Sequence, residues 1–553
     1  MKELITSLIS DAVARARLSG DLASDQAPFT VERPGDSSHG DMATNAALVM
    51  AKAERKAPRA VAEIIARHIE PRADVEEVKV AGPGFINFRM AASYWHSEIR
   101  RALTTGPSFW CPDLGRGRRV QVEFLSANPT GPLTVGHGRN AVLGDTLARL
   151  YEATGHQVTR EYYFNNGGRQ MRLLGESVRA RYLEELGRAA AFPEEGYQGE
   201  YIREIALGLV ERHEAALAEE PSLEPFRAAA EERIFGEIRA TCERLRVSFD
   251  VYTNELDLIR AGKVEEVLAA LEGRGLVARY DGATWLRGEP LGLPKDLVLL
   301  RSGPDREPTY RTTDIAYYID KLSRGFDLVV GVFGADHIAE HQGVVAALRA
   351  LGHDTACLRT VIYQFVTLMR GGEKVKMSTR KATYVTLDEL LDEVGPDVAR
   401  FFFLFRKSDT HLDFDLDLAK TQAPENPVFY VQYAHARLES VLREAAKAGL
   451  AVPADLAAVD LALLSAEELA IARRVLGFPE VVGEALDALE PHRIPFALLE
   501  LAGEFHRYYN KPANRIIGSD RELSRVRLVW ARLVKECIAR GLELIGVNAP
   551  ERM

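Results

Sequence analysis

Two stretches hold the residue types that binding phosphates would require. In Ser126–Asp145, SANPTGPLTVGHGRNAVLGD, His137 lies between Gly136 and Gly138, after an apolar run and before a helical pattern. A helix N-terminus presents unpaired N–H groups and the positive end of the helix dipole, which together make an anion site. Glycine lets a ligand approach the backbone closely, and a histidine in the first turn has a ring N–H to offer a phosphate oxygen. The second stretch, GGEKVKMSTRKATYVTLDELLDEVG, begins at Gly371 and crowds Lys374, Lys376, Arg380 and Lys381 into one segment. A basic segment opposite an anion-binding helix start reads as a triphosphate clamp. Taken singly, each stretch also fits an ordinary capped turn or a solvated basic loop.

Placing these side chains takes a parallel sheet. RVQVEFLS alternates, with Val120, Val122 and Phe124 on one face and Gln121 and Glu123 on the other, which predicts a half-buried strand. The glycine turn, the helical NAVLGDTLARLYEATG and the strand-like HQVTREYYFN complete a βαβ unit. The α/β signature returns at FDLVVGVFG and LRTVIYQFVTL, and roughly residues 170–280 between the halves read as a charged, mostly helical insertion. The fold class expected is α/β: a Rossmann-type catalytic domain over 111–415, a small α/β domain over 1–110, and an all-helical domain over 416–553. The helical domain carries a basic window, Phe505–Arg540, with nine Lys or Arg against three acids, next to FHRYYNKPANR. In open α/β sheets, ligands bind beyond the carboxyl ends of the strands.

The bulk numbers set limits. A chain of 553 residues is too long for one core. A net charge of −10 argues against indiscriminate coating of nucleic acid but leaves room for a local basic face. No apolar run reaches the ~18 residues of a membrane helix, and the amphipathic start lacks a signal peptide's apolar stretch and cleavage site. Four scattered cysteines (Cys111, Cys242, Cys357, Cys537) without a CxxC pair fit a reducing cytoplasm. HIAEH, His337–His341, has the spacing of an inverted zinc-peptidase motif, but His337 closes a strand instead of lying within a helix, so no metal site is expected.

Together the two stretches resemble the paired signatures of class I aminoacyl-tRNA synthetases: Thr134-Val135-Gly136-His137 is similar to their HIGH element, and Lys376-Met377-Ser378-Thr379-Arg380 to their KMSKS element. EYYFNNGGRQM, PEEGYQGEYI, PTYRTTDIAYYIDK, GADH, HLDFDLDLA, NPVFYVQYAHAR and GVNAPERM narrow the resemblance to arginyl-tRNA synthetases over nearly the whole chain. HGDMATNAALVMAK and GPGFINFRM resemble the extra N-terminal domain that these enzymes carry. The resemblance implies ligation of L-arginine to tRNA(Arg) through an arginyl-adenylate, with ATP and Mg²⁺ as substrate complex and no tightly bound cofactor. It implies catalytic roles for His137, Lys376, Thr134, Gly136 and Arg380, and ATP contacts from Gly136, His137, Gly138, Asn140, Lys376, Met377 and Ser378. Guanidinium recognition calls for carboxylates and a flat surface. Glu123, Tyr310 and Asp314 match the family's arginine-binding positions, Asn128 matches the group at the substrate's amino end, and Asp336 with His337 is expected to line the same pocket. Tyr430, Tyr433, Arg437, Tyr508, Tyr509 and Met553 are the implied tRNA contacts, the tyrosines as stacking platforms. The family also implies a monomer in the cytoplasm, away from membranes.

Two departures stand out. The family usually has histidine where Thr134 stands and a second lysine where Thr379 stands. They predict either slower activation or, as the alternative, a non-catalytic tRNA-binding paralogue of the same fold. A class I enzyme for another amino acid is a weaker reading, because Glu123 with Asp314 favours a cationic side chain.

Overall fold

The computed structural model describes residues 1–303, 306–375 and 385–553. They cluster into two units: Met1–Phe109 with Val441–Gly477 and Tyr508–Val534, and Trp110–Ser440 with Phe478–Arg507 and Lys535–Met553.

In the first unit, α1 (Lys2–Leu18) leads into β1 (Val31–Glu32), β2 (Met42–Thr44), α2 (Ala46–Glu54), α3 (Pro58–Arg67), β3 (Val75–Ala81), β4 (Phe85–Met90) and α4 (Ala92–Thr105). The strands form one antiparallel sheet in the order β1-β2-β4-β3. The β3–β4 pair is the hairpin expected around Gly82-Pro83-Gly84. Ile5, Leu8, Ile9, Ala12, Val13 and Ala16 recur at helical spacing and form the buried stripe of α1.

A short helix, α5 (Pro107–Trp110), is followed in the second unit by β5 (Arg119–Glu123), α6 (Val135–Ala153) and β6 (Gln157–Phe164), the predicted βαβ unit. Three helices, α7 (Gly168–Glu185), α8 (Glu200–His213) and α9 (Glu224–Arg244), form the insertion. The chain then re-enters the sheet as β7 (Val251–Asn254), which the helical reading of this region does not contain. After α10 (Glu255–Arg260) and α11 (Lys263–Gly273) comes a second unforeseen element, an antiparallel sheet β10-β9-β8 built from β8 (Val277–Tyr280), β9 (Ala283–Leu286) and β10 (Leu297–Leu300). Helix α12 (Tyr310–Ser323), β11 (Leu328–Gly334), α13 (Ile338–Ala350) and β12 (Leu358–Tyr363) close the main fold.

The main sheet is parallel throughout, in the order β12-β11-β5-β6-β7. From β5 the chain runs outward one way through β6 and β7 and the other way through β11 and β12. The strand order therefore reverses at β5/β11, the switch point where such sheets bind ligands. Helix α6 lies so close on β5 that a Cβ at Gly144 would sit 2.1 Å from Phe124. The alternation in β5 predicts one exposed face. The strand is instead central and covered on both sides: Gln121 is fully buried and donates to Glu161 at 2.9 Å.

A small sheet, β14-β13-β15, follows, from β13 (Val366–Arg370), β14 (Glu373–Lys374) and β15 (Leu412–Asp415). Between its strands runs α14 (Leu387–Leu404), kinked at Gly395-Pro396. Beyond β15 the described residues hold helices and no strand: α15 (Leu416–Lys420), α16 (Pro427–Lys447), α17 (Ala466–Leu476), α18 (Phe478–Asp487), α19 (Arg493–Tyr509) and α20 (Arg521–Leu544). Among the described residues no helix is long and apolar enough to cross a membrane.

Candidate active site

The carboxyl end of β5 turns sharply. Leu125 and Ser126 both take left-handed φ values, +67° and +46°, which side-chain-bearing residues rarely adopt. Ser126 Oγ donates to Glu123 at 3.2 Å and accepts from the Tyr163 N–H at 3.2 Å, so side-chain bonds offset the strained turn.

Further along the chain α6 begins, with Thr134 as its N-cap. The Thr134 N–H donates to His137 Nδ1 at 3.1 Å, and Thr134 Oγ1 lies 3.2 Å from the same nitrogen. His137 thus occupies the place that Glu or Gln takes in a capping box. Because Nδ1 accepts, the ring proton sits on Nε2. Burial pushes the imidazole pKa down to about 4, so His137 is a neutral donor at physiological pH. The two flanking glycines differ. A Cβ at Gly136 would meet nothing nearer than Thr134 Oγ1 at 3.8 Å, which leaves this backbone open to a ligand. A Cβ at Gly138 would meet Leu387 at 2.7 Å and Phe403 at 2.9 Å. Gly138 therefore lets α6 pack closely on α14. Asn140 is buried, accepting from the Leu125 N–H at 2.7 Å and donating to the Val332 carbonyl at 3.1 Å, which ties the ends of β5 and β11 together. Arg139 reaches the carbonyls of Gln364 (2.6 Å), Thr410 (3.0 Å) and Lys407 (3.0 Å).

Lys376, Met377, Ser378 and Arg380, with Thr379 between them, lie outside the described residues. The chain that follows them is anchored at α6: Thr386 bridges Thr134, and the Leu387 N–H donates to the Leu133 carbonyl at 2.7 Å.

On the other side of β5 is a chamber of carboxyl groups. Glu123 is buried and pairs with Lys321, which is itself fully buried with its ammonium 4.0 Å from the Tyr317 ring centre and 4.4 Å from that of Tyr318. Asp314, one helical turn after Tyr310 on α12, is held well above the usual carboxylate range by burial and by the nearby charges of Glu123 and Glu255. Tyr310 is exposed and lines a cavity of about 970 Å³ with Asn165, Gln170, Tyr197, Glu255 and Arg301. Asn128 accepts from the Asn165 N–H at 2.9 Å and donates to Gln170 at 3.2 Å. Asp336 and His337 occupy a short exposed turn after β11, where His337 faces Glu340 at 3.5 Å, and they are not among the cavity's lining residues. His341, the other half of the HIAEH spacing, has both ring nitrogens engaged, Nε2 with Thr360 at 2.8 Å and Nδ1 with Tyr318 at 3.4 Å.

Glu255 and Lys321 escape a reading of the sequence. Lys321 falls two turns after Asp314 on the same helix, a spacing that could flag it. Glu255 starts a short helix inside the segment read as insertion, and nothing in its surroundings marks it.

In the helical region, Tyr433 is exposed, stacked on His506 at 5.7 Å and bonded through its hydroxyl to Arg437 at 2.6 Å. Tyr430 packs against His506 at 4.5 Å. Tyr509 lines a cavity of about 350 Å³ with Lys511, Asn514 and Arg515. Met553 is exposed at the chain end. Tyr508 is corrected: it is fully buried against Trp530 with its hydroxyl on Glu468 at 2.5 Å, so no base can stack on it.

Comparison with known proteins bears on this geometry. Residues 98–401 match the family of class I (R) tRNA synthetase catalytic domains, residues 3–90 the arginyl tRNA synthetase N terminal domain, and residues 431–553 the DALR anticodon binding domain. The arginine–tRNA ligase of Desulfotalea psychrophila is 48% identical over 95% of both chains. The chain belongs to the arginyl-tRNA synthetase family. The arginine–tRNA ligase of Salinibacter ruber is 47% identical over 96% of both chains. The solved arginyl-tRNA synthetase of Thermus thermophilus superposes with a TM-score of 0.77 at 25% identity, covering all of both chains. Family membership accounts for the parallel sheet, the appended N-terminal sheet and the helical C-terminal region together.

Proposed function

We propose that this chain activates L-arginine with ATP and transfers it to the 3′ end of tRNA(Arg), releasing AMP and pyrophosphate. One juxtaposition carries the reading: the same strand end, β5, leads on one side to a neutral histidine donor at a helix start and on the other to a buried carboxylate chamber. An adenylate-forming site needs those two halves side by side. The arginine carboxylate attacks the α-phosphate of ATP, pyrophosphate leaves, and a ribose hydroxyl of the tRNA end then takes the arginyl group from AMP. No protein nucleophile enters. Catalysis is positioning plus stabilisation of charge growing on phosphate oxygens.

In this scheme His137 donates through Nε2–H, the open backbone at Gly136 receives the nucleotide, and Thr134 orients the imidazole. Lys376, Met377, Ser378 and Arg380 are assigned to the triphosphate, with Mg²⁺ entering as part of the ATP complex. Asp314, Glu123 and Tyr310 take the guanidinium, Asn128 the amino end. Residues 1–110 and 416–553 grip the tRNA, with Tyr433, Tyr430, Arg437, Tyr509 and Met553 at the anticodon side, and the enzyme acts as a cytoplasmic monomer. The test is arginine-dependent ATP–pyrophosphate exchange, run with and without cognate tRNA. Exchange that requires arginine and is abolished by His137→Ala is expected. Absence of exchange from a folded chain that still binds tRNA would sink the reading.

A further inference from the structure

Glu123 is held at both carboxylate oxygens. Oε1 accepts from the Ser126 hydroxyl at 3.2 Å, and Oε2 meets the ammonium of Lys321. Lys321 stands on α12, two turns beyond Asp314, and is fully buried, apart from the residues that line the 970 Å³ cavity. Its ammonium lies 4.0 Å from the centre of the Tyr317 ring and 4.4 Å from that of Tyr318. Tyr317 stacks on Tyr163 of β6, with 4.1 Å between ring centres and 10° between planes. The Tyr163 N–H donates to Ser126 Oγ at 3.2 Å. The contacts close into a ring, from Glu123 through Lys321, Tyr317, Tyr163 and Ser126 back to Glu123. That ring ties together β5, its strained turn, β6 and α12.

A neighbouring carboxylate shows what the ring is for. Glu161 is the register partner of Glu123 across β5 and β6. Arg324, one turn after Lys321, bonds Glu161 at 2.9 and 3.1 Å, and Gln121 and Thr253 add bonds of 2.9 and 2.5 Å. Those bonds take up the ~four lone-pair sites of a carboxylate, so Glu161 is spent on the scaffold. Glu123 accepts two bonds among the described residues and keeps capacity for a ligand. A carboxylate this buried stays charged only beside a cation. A group already held in one geometry loses little freedom when its ligand arrives. Lys321 supplies the charge and the hold together. It also offsets the repulsion that Glu123 exerts on Asp314.

We propose that Lys321 is a positioning residue for arginine binding, fixing Glu123 as an ionised, immobile acceptor without itself touching the substrate. Arginine affinity should depend on it, and the handling of ATP should not. This rests on the arginine-activating reading above, in which Glu123 takes the guanidinium.

The test is ATP–pyrophosphate exchange by the full chain with cognate tRNA, recording KM for arginine, KM for ATP and kcat. Lys321→Met should raise the arginine KM about tenfold or more, with kcat and the ATP KM within about threefold of wild type. In a Glu123→Gln background, Lys321→Met should weaken arginine no further, because the group it positions is gone. The double variant leaves neither member of the pair unmatched in the interior, so it decides the matter even where Lys321→Met alone fails to fold. A further loss of about tenfold in the double variant, relative to Glu123→Gln, would overturn the proposal. So would a kcat or ATP KM that moves as far as the arginine KM, which is what a general loosening of the fold produces. A wild-type arginine KM in Glu123→Gln would instead strike the assignment of Glu123. Absence of arginine-dependent exchange in the wild-type chain would strike the arginine reading itself.

Discussion

At the start of α6, polarity is arranged with little net charge. His137 is neutral, its Nδ1 is occupied by Thr134, and the helix end contributes only partial charges. Across β5, the chamber around Asp314 crowds three acids around one lysine. In the proposed scheme the first region receives an anion that arrives with its own Mg²⁺, so it needs donors more than cations. The second crowds carboxyl groups until burial and neighbouring charge hold Asp314 well above the usual carboxylate range, and in the proposed scheme the substrate's guanidinium supplies the opposing positive charge. Groups complete in themselves read as scaffold with one free valence. Groups left in electrostatic conflict identify what must come.

The largest expected effect tests the second half of that contrast. Asp314→Asn removes a buried charge partner, and arginine kcat/KM in pyrophosphate exchange should fall by about 10³-fold, since truncating one side of a buried charge pair costs about 2–5 kcal/mol. A change below tenfold would break the chamber reading. Next, His137→Ala should lower the activation rate by about 10²–10³-fold while leaving arginine Kd unchanged, the loss expected of one oxyanion donor. Its pH–rate profile sharpens the comparison: wild-type activity should show no histidine inflection between pH 6 and 8, because His137 titrates near 4.

Third, the chamber should cost stability when arginine is withheld. The folded pKa of Glu255 lies above its ordinary value of 4.5, so its contribution is present at low pH and lost as pH rises from 4.5 through about 7. The melting temperature of arginine-free protein should therefore fall between pH 5 and pH 8, and Glu255→Gln should shrink that fall. Fourth, Thr134→Ala should cost about 1 kcal/mol in capping and slow activation several-fold by removing the hydroxyl beside His137 Nδ1, the backbone N–H bond to that nitrogen remaining. Thr134→Ser should restore both. The smallest effect is expected at Tyr508→Phe, which should leave tRNA affinity as it was, while Tyr433→Ala lowers it in a filter-binding assay.

Features whose parts lie close together in the chain are the ones legible in it. Thr134 and His137 are three residues apart, so the amino-acid order alone reveals a helix start with a histidine in its first turn. The parallel βαβ unit is legible for the same reason. Glu123 is legible as a carboxyl at a strand end, but not its pairing with Lys321, 198 residues away. Gly138 looks identical to Gly136 because Leu387 and Phe403, which press on it, come from far along the chain. Gln121 and Glu123 of β5 imitate an exposed face because both find partners inside the protein, Gln121 Nε2 on Glu161 and Glu123 on Lys321. Tyr508 imitates a stacking platform through its aromatic neighbours, yet Leu498, Leu501, Phe505 and Tyr508 form a helical stripe that ends in the core.

Arg139 gives the site a timetable. Its three carbonyl partners lie 225, 268 and 271 residues further along the chain. At synthesis rates of ~5–20 residues per second, roughly 15–50 s pass between the making of α6 and the making of the last of those partners. For most of that interval β5 lacks its neighbour β11, and the guanidinium of Arg139 has only water to bond. The first turn of α6 therefore gains its last partners late in synthesis, and a chain cut short before Thr410 cannot complete them, however well its first sheet folds.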